Sequence, residues 1–275
     1  MNKSKEIKVG KFLVGGRQPL CLIAGPCVIE NQRVLFRTAE VLQEISRELN
    51  IPLIFKTSYD KANRLSAASY RGPGLKKGLV LLKQLKKRFN IPILSDVHCR
   101  AEVKPAAEVL DIIQIPALLC RQTDLVVAAA RPGKVINLKK GQFMAPADME
   151  NIIAKVTSTG NKRILITERG TFFGFHNLVN DMRAIPWLKT FGYPVIFDAT
   201  HSVQLPGGGG KYSSGQRIFA SSLAQAAVAA GCDGVFMEVH PNPGQALCDG
   251  PNTLKLNTIK QLLKKLTAIR KVVAD

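Results

Sequence analysis

Residues 91–115 read IPILSDVHCRAEVKPAAEVLDIIQI and contain the structural unit that recurs along the whole chain. Two short apolar runs, Ile91–Leu94 and Ile112–Ile115, flank a stretch, Ala101–Glu108, that has helical spacing. The first run is followed, after Ser95, by a carboxylate, Asp96. This pattern is typical of a βαβ unit, in which a helix connects two parallel strands.

Eight short apolar runs of this kind divide the chain at near-regular intervals, and nearly every run is followed by a residue that can do chemistry. In chain order these residues are Cys27, Lys56, Asp96, Arg121, Lys139, Glu168 with Arg169, Asp198 with His201, and Glu238. Eight strand–helix units with polar residues at the strand ends predict a (β/α)8 barrel, whose active site lies at the C-terminal ends of its strands. A doubly wound open sheet is the alternative, but it would concentrate these residues at one switch point.

Helical spacing between the runs predicts eight helices. They are Gln32–Leu49, Leu75–Phe89, Ala101–Glu108, Asp124–Ala130, Pro146–Thr157, Asn177–Lys189, Gln216–Ala230 and Leu256–Val273. The residues before Ile23, including Val9–Val14, are expected to form a short strand or hairpin ahead of the barrel. Because the chain shows no linker or low-complexity block, residues 1–275 are predicted to form one domain.

Several features of the composition point to a cytoplasmic protein. The segment Met1–Phe12 is charged and lacks the apolar region of a signal peptide, and no apolar run approaches the roughly 20 residues that span a bilayer. The six cysteines form no CxxC pair and are expected to be buried thiols in a reducing compartment.

The net charge of +19 is large and has three interpretations. Most lysines are assigned to solvated faces of amphipathic helices. Nucleic-acid binding is not expected, because the chain has no recognition motif or basic stripe interleaved with aromatic residues. The third interpretation, anionic small substrates, is assigned to the cations at the strand ends.

The glycine run Gly207–Gly210, followed by Lys211, resembles a phosphate loop only superficially. Tyr212 stands where such a loop needs Ser or Thr for magnesium, so a flexible lid after the seventh strand is the preferred interpretation.

Barrel closure would bring four residues with metal-ligating side chains to one side of the mouth. They are Cys27, His201, Glu238 and Asp249. Each has a plainer alternative: Cys27 as a buried small residue, Asp249 as a turn residue before glycine, and His240 as the imidazole donor in place of His201. A thiolate, an imidazole and two carboxylates would suit zinc, iron(II) or manganese.

A second cluster is cationic and lies at the same end of the predicted barrel. Its members are Lys56, Lys61, Arg64, Arg121, Lys139 and Arg169. Individual members could form ordinary ion pairs, but the six cations are more than the nearby carboxylates need as ion-pair partners. The cluster predicts two anionic substrates or one doubly phosphorylated substrate.

Nine segments together resemble the 3-deoxy-D-manno-octulosonate 8-phosphate synthase family. They are IAGPCVIE, FKTSYDKANR, SYRGPGL, SDVH, RQTDL, NLKKGQF, ERGTFFG, FDATHSVQLPGG and EVHPNPGQALCDGP, in order from about Ile23 to Pro251. The family condenses phosphoenolpyruvate with arabinose 5-phosphate and water, and it supplies a sugar of the lipopolysaccharide core. The related heptulosonate synthases, which use erythrose 4-phosphate, typically have Lys-Pro-Arg where this chain has Lys61-Ala62-Asn63-Arg64. The polar Asn63 can bond a hydroxyl of the longer aldose.

The resemblance implies a role for each matching residue. Lys61, Lys139 and Arg169 would hold the phosphate and carboxylate of phosphoenolpyruvate, with Lys56, Gln142 and Asp96 completing its surroundings. Asn63 and Arg64 would hold arabinose 5-phosphate. Arg121 would reach the sugar phosphate from a neighbouring subunit, which implies a homotetramer. The family commonly has Ser directly after the residue that matches Arg64, but here Leu65 follows Arg64. Either Ser66 supplies the phosphate contact of that serine or the contact is lost.

The family divides into metal-dependent and metal-independent classes, with Cys or Asn at the position of Cys27. The cysteine implies a divalent metal held by Cys27, His201, Glu238 and Asp249, although the segment Cys248–Pro251 also occurs in metal-independent members. Lys61, Lys139, Asp96 and His201 are the expected catalytic residues. A non-catalytic metabolite-binding barrel is the alternative from another class, and it would have lost some of the strand-end residues.

Overall fold

Eight parallel strands close into a barrel in the computed structural model, which describes residues 4–210 and 213–273. The strands are β1 (Cys21–Gly25), β2 (Leu53–Lys56), β3 (Ile93–Asp96), β4 (Ile112–Ile115), β5 (Val135–Lys139), β6 (Ile164–Glu168), β7 (Val195–Asp198) and β8 (Gly234–His240). Each strand pairs with the next, and β8 closes the barrel because it pairs in parallel with both β7 and β1. The predicted (β/α)8 barrel is therefore confirmed.

Eight α-helices connect the strands. They are α1 (Gln32–Leu49), α2 (Leu75–Phe89), α3 (Arg100–Val109), α4 (Thr123–Ala130), α5 (Met149–Thr157), α6 (Ala184–Lys189), α7 (Ala220–Ala229) and α8 (Ile259–Val273). Helix α1 begins at Asn31, whose side chain accepts a hydrogen bond from the backbone N–H of Val34, and it ends at Asn50 in the left-handed conformation. Short 3₁₀ turns precede α5, α7 and α8, which accounts for the longer helices predicted there.

The predicted helix Asn177–Lys189 is wrong over its first half. Leu178–Val179 pairs instead as a short antiparallel strand with Thr171–Phe172, and α6 covers only the second half. The loop after β6 is therefore a small hairpin over the barrel mouth.

Alternation along the strands separates two apolar cores. Leu22 and Ala24 of β1 face the surrounding helices, whereas Cys21 and Ile23 belong to the cluster inside the barrel. The N-terminal hairpin, strands Ile7–Val9 and Phe12–Val14, packs on this inner cluster. The hairpin expected from the sequence is confirmed, and it covers the end of the barrel opposite the strand-end polar residues.

A layer of hydrogen-bonded polar side chains lies above the inner apolar core. The Asn137 amide donates to Gln114 Oε1 at 3.0 Å, and the Thr167 hydroxyl donates to Asn137 Oδ1 at 2.7 Å. Because Gln114, Asn137 and Thr167 bond to one another, they separate the apolar interior from the charged mouth as paired polar groups.

Two further expectations concern cysteines and the glycine loop. Cys99 is exposed, whereas the other five cysteines are buried, so the expectation of buried thiols is wrong for Cys99 alone. Lys211 and Tyr212, on which the comparison with a phosphate loop depended, lie outside the described residues. None of the helices within residues 4–210 and 213–273 is long and apolar enough to cross a membrane.

Gly25→Ala tests how closely β1 and β2 approach at the mouth. A Cβ at Gly25 would overlap the carbonyl oxygen of Lys56, which is backbone and cannot move aside freely. We expect the free energy of unfolding to fall by about 1–3 kcal/mol, measured by denaturant titration. Gly244→Ala is the control because its nearest neighbour would lie at 3.6 Å. Equal effects of the two substitutions would contradict this packing.

Candidate active site

A cavity of about 410 Å³ opens at the C-terminal ends of the strands. Ten of the residues singled out in the sequence line it: Lys56, Lys61, Asn63, Arg64, Asp96, Lys139, Gln142, Arg169, His201 and Asp249. They come from the ends of different strands and from the loops that follow, as a barrel places them. Five lysines and arginines against two carboxylates, Asp96 and Asp249, make this lining cationic.

The four expected metal ligands and Cys248 form two triads that share Asp249. The ligand atoms of His201, Glu238 and Asp249 lie within 4.8 Å of one another, and so do those of Cys27, Cys248 and Asp249. Cys27 Sγ is 3.3 Å from Asp249 Oδ2, and His201 Nε2 is 3.6 Å from Glu238 Oε2. The second triad contains a thiol, Cys248, that the sequence reasoning did not count among the ligands.

His201 is oriented by a buried carboxylate at the end of β7. Its Nδ1 lies 2.7 Å from Asp198 Oδ2, so the other ring nitrogen, Nε2, faces Glu238 and Asp249. A carboxylate behind an imidazole ligand is the usual support of a metal-bound histidine. His240, the alternative imidazole donor, lies apart from this cluster and faces Glu30 at 3.3 Å.

The donor set fits a divalent metal ion. Glu238 Oε2 is buried and has no hydrogen-bond partner among the described residues, although it faces His201 Nε2. A buried carboxylate oxygen without a partner is costly unless a cation or water satisfies it. With thiol, imidazole and carboxylate donors converging there, the residues suit a borderline-soft ion such as zinc or iron(II).

Buried ion pairs link the cations of the mouth to these carboxylates. Lys56 Nζ donates to Glu238 Oε1 at 2.9 Å, and Lys139 Nζ donates to Asp198 Oδ2 at 2.5 Å. Burial alone would raise the pKa of Glu238, but Lys56 and the other neighbouring cations hold it well below its ordinary value. Burial lowers the pKa of Lys139, and the Asp198 carboxylate opposes that shift.

Asp96 is held from two sides. Its Oδ1 accepts a hydrogen bond from the Ser58 hydroxyl at 2.5 Å, and its Oδ2 lies 3.0 Å from His98 Nε2. Glu102 Oε2, which accepts from the Tyr59 hydroxyl at 2.8 Å, lies 3.4 Å from the other nitrogen of His98. Burial disfavours the charged imidazole, but the two carboxylates outweigh burial and raise the pKa of His98 to about 10.

Two polar groups that face the cavity have unused hydrogen-bonding capacity. Arg169 Nη1 and Gln142 Oε1 are buried without a partner among the described residues. The loops that carry them are tied together by Lys140, whose buried Nζ donates to the carbonyls of Gly141, Met144 and Gly170. The result is a cationic pocket with one free donor, Arg169 Nη1, and one free acceptor, Gln142 Oε1, among the described residues. A buried guanidinium with an unused N–H suits a phosphate or carboxylate.

Two of the expected substrate-binding residues do not line this cavity. Arg121 is exposed at the start of α4, and its carbonyl accepts a hydrogen bond from Lys155. Ser66 lines an adjoining cavity of about 910 Å³, whereas Leu65 lines the cationic one.

Sequence reasoning gave no supporting role to Asp198, His98 or Cys248, and only Asp198 carried a usable signal. Asp198 ends a strand and was noted as such, so its position was visible but its partner was not. His98 follows Asp96 by two residues, which puts it beyond the strand end. Cys248 adjoins Asp249, and residues adjacent in sequence seldom share one point in space.

A parallel eight-stranded barrel with this cationic cavity and donor cluster at its C-terminal mouth defines an enzyme of the (β/α)8 class for anionic substrates. The chain belongs to the DAHP synthetase I family, whose profile matches residues 3–274.

Curated relatives named 2-dehydro-3-deoxyphosphooctonate aldolase cover nearly the whole chain. Those of Geotalea uraniireducens and Geotalea daltonii are each 62% identical over 269 residues, which is 98% of this chain and 99% of theirs. That of Geobacter metallireducens is 59% identical over 270 residues, with the same coverage. The resemblance to the octulosonate synthase family is thereby confirmed.

His98→Gln tests the charge of the Asp96–His98–Glu102 cluster. A histidine whose pKa is raised from about 6.5 in the unfolded chain to about 10 contributes stability that is fully present below pH 6.5 and is lost as pH rises toward 10. The difference in unfolding free energy between wild type and variant should therefore shrink between pH 6 and pH 9.5, measured by denaturant titration.

The exposed His176 provides the matched control, His176→Gln. A wild-type-to-His98→Gln difference that stays constant across this pH range would show that folding does not raise the pKa of His98.

Proposed function

We propose that this protein condenses phosphoenolpyruvate with D-arabinose 5-phosphate and water, giving 3-deoxy-D-manno-octulosonate 8-phosphate and phosphate for lipopolysaccharide core synthesis. The observation that carries the proposal is the cationic cavity, in which Lys61, Lys139 and Arg169 surround space for two anions beside Asn63 and Arg64. The names of the curated relatives support the same reaction. Its phosphorylated substrates and the free thiols fit a cytoplasmic location.

Phosphoenolpyruvate is assigned to the deeper part of the cavity. Lys139 Nζ lies 4.0 Å from the centre of the Phe236 ring, and Arg169 Nη1 has no hydrogen-bond partner among the described residues. Both side chains are buried, so this part of the cavity offers two buried cations. The Gln142 amide and the Lys61 ammonium complete the surroundings. In such a site the cations neutralise the phosphate and carboxylate and hold the enol for attack.

Arabinose 5-phosphate is assigned to the outer part, where Asn63 and Arg64 line the rim. The family profile also bears the name of heptulosonate synthases, so the choice of aldose depends on these residues. Asn63 offers an amide to a sugar hydroxyl, and the site would leave that amide unpaired with a shorter aldose. With Leu65 in the cavity and Ser66 in the adjoining one, Arg64 carries more of the phosphate contact.

In the proposed reaction, C3 of phosphoenolpyruvate attacks the aldehyde carbon, water adds at C2, and the hemiketal phosphate loses phosphate by C–O cleavage. Cys27, His201, Glu238 and Asp249 are the residues proposed to hold the divalent metal, which supplies Lewis-acid polarisation or orientation of an oxygen. Asp198 holds the His201 ring, and Asp96, fixed by Ser58 and His98, accepts hydrogen bonds at the cavity wall. The lysines stabilise the negative charge that develops on the phosphate oxygens.

A phosphate-release assay tests the substrate and the metal together. We expect turnover of phosphoenolpyruvate with arabinose 5-phosphate but not with erythrose 4-phosphate. Chelation should abolish turnover, and zinc or iron(II) should restore it. Once the metal ion is removed, no positive charge stands between the carboxylate and imidazole ligands that face one another. Preference for erythrose 4-phosphate would contradict the assignment of Asn63, and full activity after chelation would contradict the metal.

We further propose that the active protein is a homotetramer in which Arg121 of one subunit completes the cavity of another. Apolar side chains are unusually exposed around the mouth, namely Leu118, Phe143, Phe172, Phe173 and Phe175. Leu118 precedes Arg121 by three residues, so a subunit that covers this apolar rim would come close to the exposed guanidinium. A second copy of the chain is the proposed occupant.

Complementation between two inactive variants tests whether Arg121 acts across subunits. Arg121→Ala lacks the donated guanidinium, and Lys139→Met lacks a cation of its own cavity, so each should lose most activity alone. Mixed oligomers contain cavities with both groups and should regain activity after dissociation and reassembly. Light scattering of each variant controls for assembly. Absence of recovery in mixed oligomers of normal size would show that Arg121 does not act between subunits.

A further inference from the structure

The Cys248 side chain lies beside the proposed metal ligands Cys27 and Asp249. Its Sγ is 2.9 Å from Cys27 Sγ, and both thiols are almost fully buried, at 2% and 4% exposure. Together with the Asp249 carboxylate their ligand atoms fall within 4.8 Å of one another. Two sulfur atoms and a carboxylate oxygen thus face one point.

The backbone explains how two adjacent residues reach this point. Asp249 has a φ of 49°, in the left-handed region that non-glycine residues seldom adopt. With the backbone in this conformation, the Asp249 carboxylate and the Cys248 thiol both lie against Cys27, whose Sγ is 3.3 Å from Asp249 Oδ2 and 2.9 Å from Cys248 Sγ. Backbone strain of this kind persists where surrounding structure requires it, and it is concentrated at ligand-binding sites.

The surroundings of Cys248 are polar as well as apolar. Its sulfur packs with Val28 and Tyr70, but it also lies 2.9 Å from the Arg64 guanidinium nitrogen Nη1. The sulfur therefore has a charged polar neighbour and is not enclosed by apolar side chains alone.

We infer that Cys248 is an additional metal ligand, so that the centre offers two sulfurs, from Cys27 and Cys248, along with His201, Glu238 and Asp249. The inference rests on the metal centre proposed under the function, and it reduces the number of metal ions that suit that centre. Two thiolates favour a thiophilic ion, zinc or iron(II), whereas manganese prefers oxygen ligands. Of the three metals that the sequence leaves open, manganese is therefore the one this site disfavours.

A consequence for the substrate site follows from the Arg64 contact. The same guanidinium lies 3.7 Å from Asp249 Oδ1 and lines the cavity wall where the sugar phosphate is assigned. A metal-bound Cys248 would keep Arg64 in this position, so loss of the thiol should disturb both metal affinity and sugar binding.

Metal binding to reduced, metal-free protein tests the inference directly. Cobalt(II) is the spectroscopic probe, because thiolate ligands give a sulfur-to-metal charge-transfer band in the near ultraviolet. Zinc affinity is measured by competition with a chromophoric chelator. The variants are Cys248→Ser and Cys27→Ser, with Cys99→Ser as the control, since Cys99 is an exposed cysteine outside the cluster.

For Cys248→Ser we expect the band to fall to about half and zinc affinity to fall by about tenfold or more, because even the loss of groups behind metal ligands has that effect. Manganese affinity should change little. Cys99→Ser should match wild type. X-ray absorption of zinc-loaded wild type, which needs no variant, should show two sulfur neighbours.

The outcomes separate this inference from the proposed function. A wild type that binds neither cobalt(II) nor zinc would overturn the metal centre itself. Wild-type binding with an unchanged band and zinc affinity in Cys248→Ser, together with loss of both in Cys27→Ser, would overturn the role of Cys248 alone. A single sulfur neighbour in the absorption spectrum would do the same.

Discussion

The mouth of the barrel depends on the pairing of buried lysines with buried carboxylates. Lys56 with Glu238 and Lys139 with Asp198 are ion pairs whose members are each at most 7% exposed in their side chains. An isolated charge at such a depth is expensive, and removing one partner of a buried pair typically costs about 3–5 kcal/mol. The cations therefore persist in an apolar barrel because the carboxylates lie beside them.

The same carboxylates also serve the metal-ligating cluster, so the two clusters are one network. Glu238 faces Lys56 with one oxygen and His201 with the other. Asp198 contacts both Lys139 and the His201 ring. Any ion that binds at His201 and Glu238 adds positive charge next to lysines that are already paired, and anionic substrates then balance the excess. Substrate binding and metal binding should accordingly support each other.

Much of the barrel and of this network could be predicted from sequence because both follow from periodicity. Apolar runs give the strands, and parallel strands put their C-terminal residues at one end, so Lys56, Asp96, Lys139 and Glu238 were expected to converge. The periodic argument failed at 177–183, where Leu178 and Val179 suit a strand as well as a helix and pair with Phe172 and Thr171. Local preference alone does not distinguish those two outcomes.

The periodicity of the sequence does not predict the direction in which individual side chains of the site point. The sequence places Cys27, His201, Glu238 and Asp249 near one another, but it does not show that Asp249 turns through a left-handed φ and belongs to both triads. Nor does it show that Cys248 points the same way as its neighbour. Asp249 is the one residue common to the sulfur-rich triad and the imidazole triad. The residue with this backbone conformation therefore links the two triads, and its loop is anchored where Glu30 accepts a hydrogen bond from the backbone N–H of Leu247.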